Sequence, residues 1–289
     1  MGRPTAALAA GVPDTPRSTL SLLGRGPTLA TFAALLGLAA AAWALTARNA
    51  LSMGDMTMGL GQVGTRMPID LTVPLFMAMW LTMMVAMMFP TVGPIVLAHR
   101  AVTARRGEGG VPTVAFVLGY LVVWTLIGLV PLGVLLAVRG LPPEAARSGW
   151  LPAVSGAVLI VAGLYQFTPL KGICLRACRS PLGFIMSHDF GSGAIGAFRA
   201  GLSHGAYCLG CCWALMSVLV VVGLMNLVWM ALLALVFLAE KNWRHGVGLS
   251  RIAGTAVALL GLAILVHPDL LTVVSGSGAS GMGSGMGAG

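Results

Sequence analysis

Charged residues are what this chain has least of. Only 9% of its 289 residues are charged, and just 8 residues are Asp or Glu. A soluble domain carries about 25% charged residues, so this composition excludes an ordinary soluble fold. Hydrophobic residues make up 57% of the chain, and its mean hydropathy is +0.93. The sequence therefore predicts an all-α, polytopic transmembrane helical bundle that lies in a lipid bilayer.

Several sequence motifs with well-understood chemistry are also missing. The chain has no Walker A, GxSxG or HExxH motif, so an ATP-driven pump is not indicated. Glu240 is the one acidic residue inside a long apolar segment, and Asp269 lies just beyond another, which argues against a proton-coupled carrier with paired carboxylates. The net charge of +9 comes from Lys and Arg spread over short loops, a pattern typical of membrane topology. We expect no nucleic-acid partner, and a binding protein is favoured over an enzyme.

Seven apolar segments are candidates to cross a membrane, which takes about 20 residues each. They are residues 28–47, 72–97, 112–138, 150–168, 201–223, 226–240 and 251–267. If the N-terminus lies in the cytoplasm, the 17 Lys and Arg fall on the cytoplasmic side except for Arg48, Arg66, Arg139 and Arg147. This bias agrees with the positive-inside rule. We therefore predict about seven spans with a cytoplasmic N-terminus.

The composition also changes along the chain. Residues 1–27 predict a disordered cytoplasmic leader without a cleaved signal peptide. Residues 28–268 predict the transmembrane helical domain, with a cytoplasmic cysteine-containing loop at 169–200, and residues 269–289 predict a flexible Gly/Ser/Met tail. Met residues outside the membrane suit either a weak Cu(I) collecting site or plain linker composition. They are Met53, Met56, Met58, Met282 and Met286.

All five cysteines lie between positions 174 and 212, and an odd, clustered set argues against a disulfide framework. In the segment HGAYCLGCC, His204, Cys208, Cys211 and Cys212 are spaced so that they share roughly one helix face. Imidazole and thiolate suit Cu(I) and Zn(II), and polar groups inside a membrane are costly. The segment therefore predicts a metal or redox site. The alternative is that these cysteines are small apolar residues of a membrane helix.

A second pair of thiols, Cys174 and Cys178, has i, i+4 spacing within KGICLRACRSP. The basic residues around them should favour the thiolate form. If the predicted loop folds back on the fifth span, these thiols would meet the first cluster, and His188 from the same loop would be a further candidate ligand. The alternative is a basic membrane anchor that carries incidental thiols.

Methionines recur at helical spacing in the second predicted span, as Met79, Met83 and Met87 show. Thioethers suit Cu(I), so Met83 and Met87 are candidate ligands, although Met is also a flexible gap-filler in apolar packing. Further along the chain, Glu240 and Arg244 are spaced to form an i, i+4 ion pair at a membrane edge.

The order of several blocks resembles a known family. MWLTMMVAMMFPTVGP, LYQFTPLKGICLRACRSP and HGAYCLGCCWALM, followed by AEKN, occur in this order between about 70 and 268. The chain resembles an uncharacterised bacterial family of predicted metal-binding integral membrane proteins. The resemblance implies a multi-pass protein of the bacterial cytoplasmic (inner) membrane. It also implies a shared site formed by Cys174, Cys178, His204, Cys208, Cys211 and Cys212.

Taken together, these patterns predict a membrane protein that binds a soft metal through its Cys/His cluster. Cu(I) is the first candidate, and zinc and iron are alternatives. The protein would transfer or deliver the metal to a membrane or soluble metal-handling partner. Two other functions stay open. One is an accessory or assembly subunit of a membrane metalloenzyme complex, a hetero-oligomer with a structural metal site. The other is a thiol redox protein, which is disfavoured because a disulfide between adjacent cysteines is strained.

Overall fold

The computed structural model describes residues 26–52, 69–140, 150–187, 191–224 and 226–275. Within these ranges the chain forms ten helices and no strand, so the all-α prediction is confirmed. The helices are α1 (Gly26–Ser52), α2 (Ile69–Arg105), α3 (Val111–Arg139), α4 (Trp150–Tyr165), α5 (Pro169–Arg179), α6 (Pro181–Ser187), α7 (Gly193–Val222), α8 (Leu227–Asn242), α9 (Gly246–Val266) and α10 (Leu270–Val274).

Some predicted features lie outside the described residues. Residues 1–25, 53–68 and 276–289 are among them, and with them most of the predicted leader, the candidate external methionines and most of the predicted tail. Within the predicted tail the structure describes one short helix, α10.

Five of the described helices are long and apolar enough to cross a membrane, namely α1, α2, α3, α7 and α9. The count rises to six if α4 and α5, which are bent by 63° relative to each other, form one broken span. Helix α8 has only 16 residues, fewer than a straight span needs. By length and composition the structure therefore supports five or six spans, and seven spans with a cytoplasmic N-terminus stay a prediction.

The bend between α4 and α5 follows from the local sequence. Thr168 caps α5, and its hydroxyl accepts a hydrogen bond from the backbone N–H of Lys171 at 3.4 Å. Pro169 comes next and has no N–H to continue the preceding helix. The segment 169–200, expected as a loop, therefore forms α5, α6 and the first turns of α7. The two cysteines of this segment therefore lie on a helix, α5, and not on a loop.

Helix α7 occupies the centre of the bundle, where it packs against α3, α4, α5 and α8. Its seam with α3 is close because both helices place glycines there. A Cβ atom on Gly119 of α3 would meet the carbonyl oxygen of Phe198, and one on Gly201 of α7 would meet the carbonyl oxygen of Phe116. Small residues let membrane helices approach in this way, so the seam fixes α7 against α3.

A second close seam joins α4 to α9 through two reciprocal glycine pairs. A Cβ atom on Gly156 would lie 2.8 Å from the carbonyl oxygen of Gly261, and one on Gly261 would lie 2.6 Å from that of Gly156. Gly163, seven residues after Gly156, and Gly254, seven residues before Gly261, face each other in the same manner. This seam holds α4, and α5 extends from the end of α4.

The α3–α7 seam gives a test with a matched control. Gly119→Ala should lower the free energy of unfolding by about 1–3 kcal/mol, because the new methyl group overpacks a close contact. Gly133→Ala lies in the same helix with no heavy atom within 4 Å of the added Cβ. It should be neutral or stabilising by up to about 1 kcal/mol, since Ala has the higher helix propensity. Denaturant unfolding in detergent measures both variants, and equal effects would contradict the seam.

Candidate metal centre

Three thiols from two helices converge in the core of the bundle. Cys208 and Cys211 lie on α7 and Cys178 lies on α5, and their sulfur atoms are all within 4.8 Å of one another. The sulfurs of Cys178 and Cys211 are 3.8 Å apart. A metal with three bonds of about 2.3 Å to sulfur separates the sulfurs by about 3.8–4.0 Å. Cys178, Cys208 and Cys211, here called the three-thiol group, are therefore spaced to bind one metal ion.

The approach of α5 to α7 depends on Gly210, which has no side chain between the two helices. A Cβ atom there would lie 2.5 Å from the sulfur of Cys174. The hydroxyl of Tyr165, at the end of α4, donates to the carbonyl oxygen of Gly210 at 2.6 Å. Cys178 lies one turn beyond Cys174 on α5, and this position brings its sulfur to that of Cys211. The metal centre thus requires a glycine as well as the cysteines.

Helix α5 is also fastened to the last turn of α8. The ammonium group of Lys171 lies 2.8 Å from Oε2 of Glu240, and the side chains of the two residues are only 2% and 1% exposed. Arg179 donates to the carbonyl oxygens of Glu240, at 3.0 Å, and of Arg244, at 3.2 Å. Lys171 and Arg179 lie near opposite ends of α5. Their contacts therefore hold the whole helix, and with it Cys178, in place.

This arrangement shows that the expected pairing of Glu240 with Arg244 is wrong. Helix α8 ends at Asn242, so Arg244 has left the helix and no longer has i, i+4 geometry with Glu240. Nε of Arg244 instead donates to Nδ1 of the neighbouring His245 at 3.4 Å. Glu240 is buried and takes its counter-ion from α5.

Two polar groups contact the sulfur of Cys208. The ammonium group of Lys241 donates to this sulfur at 3.1 Å and to the hydroxyl of Thr91 at 3.2 Å. The hydroxyl of Tyr120 lies 3.2 Å from the same sulfur. Lys241 is 7% exposed, so its positive charge acts in a region with little water, where charges interact more strongly. A cation and a hydroxyl at these distances favour the thiolate form of Cys208.

Lys241 and Tyr120 were not predicted as part of the site. A signal was present for Lys241, because an ionisable residue at the end of an apolar segment is a functional candidate in its own right. Tyr120 is one of only 3 tyrosines in the chain, which makes it a candidate for a specific role. Neither signal shows which sulfur these residues contact.

The other two cysteines lie beside the three-thiol group. The sulfur of Cys212 is 3.4 Å from that of Cys211, and Cys212 is fully buried. Cys174 is also buried, and its sulfur faces Gly210. The structure therefore gathers all five cysteines at the contact of α5 with α7, and three of them have the mutual distances that a single ion needs.

His204 lies one helical turn before Cys208 but within an aromatic cluster. Its ring centroid is 6.2 Å from that of Phe116, 6.0 Å from that of Tyr120 and 5.2 Å from that of Phe184. The ring is buried, and Nδ1 has no hydrogen-bond partner. His204 is not one of the three ligand atoms that lie within 4.8 Å of one another. Its role as a metal ligand stays a prediction.

The remaining predicted ligands take different positions. Met83 and Met87 are buried in the core, and Met83 lines a cavity of about 10 Å³ next to Trp80. A chain of hydrogen bonds instead connects the thiols to Met88. Lys241, which contacts Cys208, also donates to the hydroxyl of Thr91, and that hydroxyl lies 3.9 Å from the sulfur of Met88. Met83 and Met87 stay predicted ligands. His188 lies outside the described residues.

The comparison with protein families agrees with this geometry. The model of a family described as copper chaperone, PpoB2, matches residues 77–264, more than half of the chain. The chain belongs to this copper-chaperone family. The matched region contains the three-thiol group and Lys241. No curated protein and no solved structure matches the chain. Family membership and the cysteine cluster both fit a copper-handling role, and they support the expected metal-related family.

The buried ion pair gives a stability test. Glu240→Leu should lower the free energy of unfolding by about 3–5 kcal/mol, because it leaves Lys171 buried without a counter-ion. The double variant Lys171→Met, Glu240→Leu should recover most of that loss, since both charges are then gone. Arg244→Leu is the control, because this exposed side chain is outside the pair. Denaturant unfolding in detergent measures all three. A Glu240→Leu variant as stable as the wild type would exclude the pair.

Proposed function

We propose that the protein is an integral membrane copper chaperone that holds one Cu(I) ion between Cys178, Cys208 and Cys211 and delivers it to a metal-handling partner. The observation that carries this proposal is the convergence of three thiols from α5 and α7 within 4.8 Å. Membership of the copper-chaperone family supports it.

The ligand set favours Cu(I) over Zn(II). Thiolates are the ligands that Cu(I) prefers, whereas structural zinc takes four ligands. Among the described residues, the Cys, His, Asp and Glu ligand atoms that lie within 4.8 Å of one another are three sulfur atoms. Cu(I) with three thiolates carries two negative charges, and the ammonium of Lys241, 3.1 Å from the sulfur of Cys208, offsets one of them. This compensation lowers the cost of burying the site.

The positions of the three cysteines suit delivery. All three sulfur atoms are buried, but Cys208 and Cys211 are fully buried residues, whereas Cys178 is only partly buried as a residue. Cys178 is therefore the ligand that a partner thiol would replace with the least rearrangement, while the two sulfurs of α7 still hold the ion. Under the proposed topology the chain has about seven spans of a bacterial inner membrane with its N-terminus in the cytoplasm. The α5 segment then lies at the cytoplasmic face, and the partner would meet the ion there.

Copper stoichiometry tests the site with a matched control. Protein purified without oxygen in detergent and loaded with Cu(I) should hold about one copper per chain. Cys178→Ser and Cys208→Ser should each lose most of this copper to a chromophoric Cu(I) chelator, because two sulfurs hold the ion less tightly than three. Cys174→Ser is the control, since Cys174 is a buried thiol on the same helix, one turn before Cys178.

Three results of this experiment would speak against the proposal. Equal copper retention in Cys174→Ser and Cys178→Ser would contradict the three-thiol group. Zinc that resists exchange with Cu(I) would favour a structural site in an accessory subunit. No bound copper in the wild-type protein would reject the chaperone function.

Lys241 predicts a pH dependence of copper binding. Thiols must lose their protons to bind Cu(I), and the ammonium of Lys241 stabilises the resulting negative charge. Lys241→Met should therefore need a higher pH for half-loading and should bind Cu(I) about tenfold more weakly at neutral pH, a loss of about 1.4 kcal/mol. Lys241→Arg keeps the charge and should stay closer to the wild type. Chelator competition over a series of pH values measures this, and superimposable curves for Lys241→Met and wild type would refute it.

A further inference from the structure

Two buried histidines contact the same phenylalanine. His99 on α2 and His204 on α7 are 7% and 2% exposed, and their ring centroids lie 4.9 Å and 6.2 Å from that of Phe116. Nδ1 of each ring is buried without a hydrogen-bond partner. Leaving a buried polar atom unpaired costs about 1–3 kcal/mol. Two such atoms on rings that contact the same phenylalanine indicate a role other than packing.

His99 lines a cavity of about 60 Å³ between the end of α2 and the start of α7. Thr103, Arg106 and Glu108 add polar groups to its wall, so the positive charge of Arg106 is accompanied by the carboxylate of Glu108. The space exists because the wall on the α7 side consists of small residues, among them Gly196, Ala197 and Ala200. The volume corresponds to about two water molecules, so the cavity has room for a small ion with part of its hydration shell.

The cavity, His204 and the three-thiol group follow one another along α7. Ala200 belongs to the cavity wall, His204 comes four residues later and Cys208 four residues after that. Residues four apart share a helix face, and each step rises about 6 Å along the axis. The imidazole of His204 is therefore the intermediate ligand-bearing group between the cavity wall and the sulfur of Cys208.

We propose that the cavity at His99 is the port through which Cu(I) enters, and that His99 and His204 bind the ion transiently on its way to Cys208. This inference rests on the proposed function. Imidazole is a suitable ligand for copper, and several weak sites in series let an ion move on. The metal stays Cu(I) throughout. On loading, each Cu–N bond is exchanged for a Cu–S bond, and the thiol protons are released to the buffer.

The rate of copper exchange tests the port. Apo protein in detergent is mixed with a coloured Cu(I)–chelator complex, and stopped-flow absorbance follows the transfer of copper to the protein. His99→Gln and His204→Gln should load about tenfold more slowly, equivalent to about 1.4 kcal/mol in the barrier. The copper stoichiometry at equilibrium should stay that of the wild type, because the thiols set it. His245→Gln is the control, since His245 is exposed.

A second pair of variants blocks the cavity without removing a ligand. Ala197→Leu places a larger side chain in the cavity wall and should slow exchange to a similar degree. Ala194→Leu makes the same change at an exposed position of α7 and should exchange at the wild-type rate. This pair separates passage through the cavity from any general effect of substitutions near the start of α7.

The histidines can also be observed directly. In a variant that replaces all five cysteines with Ser and keeps its helical circular dichroism, the strong thiol ligands are gone. Ag(I), a soft ion like Cu(I) that does not change oxidation state, should then shift the side-chain ¹⁵N signals of His99 and His204 but not those of His245.

The outcomes separate the two proposals. A wild-type protein that retains no Cu(I) overturns the proposed function, and this inference falls with it. A wild-type protein that retains Cu(I), with unchanged exchange rates in both His→Gln variants and in Ala197→Leu, overturns the port alone. Ag(I) that leaves the signals of His99 and His204 unmoved also overturns the port.

Discussion

The buried ion pair between Lys171 and Glu240 decides how the thiols are arranged. Neither charge is tolerable among apolar helices without the other, so α5 must lie against the last turn of α8. The residue after Glu240 is Lys241, which points to α7 and contacts Cys208 at 3.1 Å. Two adjacent residues of α8 therefore connect both helices of the three-thiol group. One fixes the helix that carries Cys178, and the other compensates the charge on α7.

Local patterns in the sequence were sufficient for the helical class and for part of the site. Cys208 and Cys211 are three residues apart on one long apolar helix, so their proximity follows from helix geometry alone. The resemblance implied that Cys178 belongs with them, and the structure brings its sulfur to 3.8 Å from that of Cys211. Hydropathy could not show that 169–179 is a helix bent by 63° from α4, because that segment is amphipathic and short.

Contacts between distant residues could not be predicted in the same way. Tyr120 and Cys208 are 88 positions apart, and Lys241 and Thr91 are 150 apart. These contacts depend on how α2, α3 and α8 pack around α7, and no single segment encodes that packing. The i, i+4 rule failed for Glu240 and Arg244 for a related reason. It presumes one continuous helix, whereas α8 ends at Asn242.

The glycine seam between α4 and α9 has a consequence for the genetics of this protein. Helix α5 continues from α4, so the third thiol depends on where α4 rests. A methyl group at Gly163 would meet the carbonyl oxygen of Gly254 at 2.5 Å and the side chain of Ala258 at 2.7 Å. It would push α4 away from α9 and carry Cys178 out of reach of α7. A genetic screen for loss of copper binding by this protein should therefore recover substitutions of the seam glycines as well as substitutions of the cysteines.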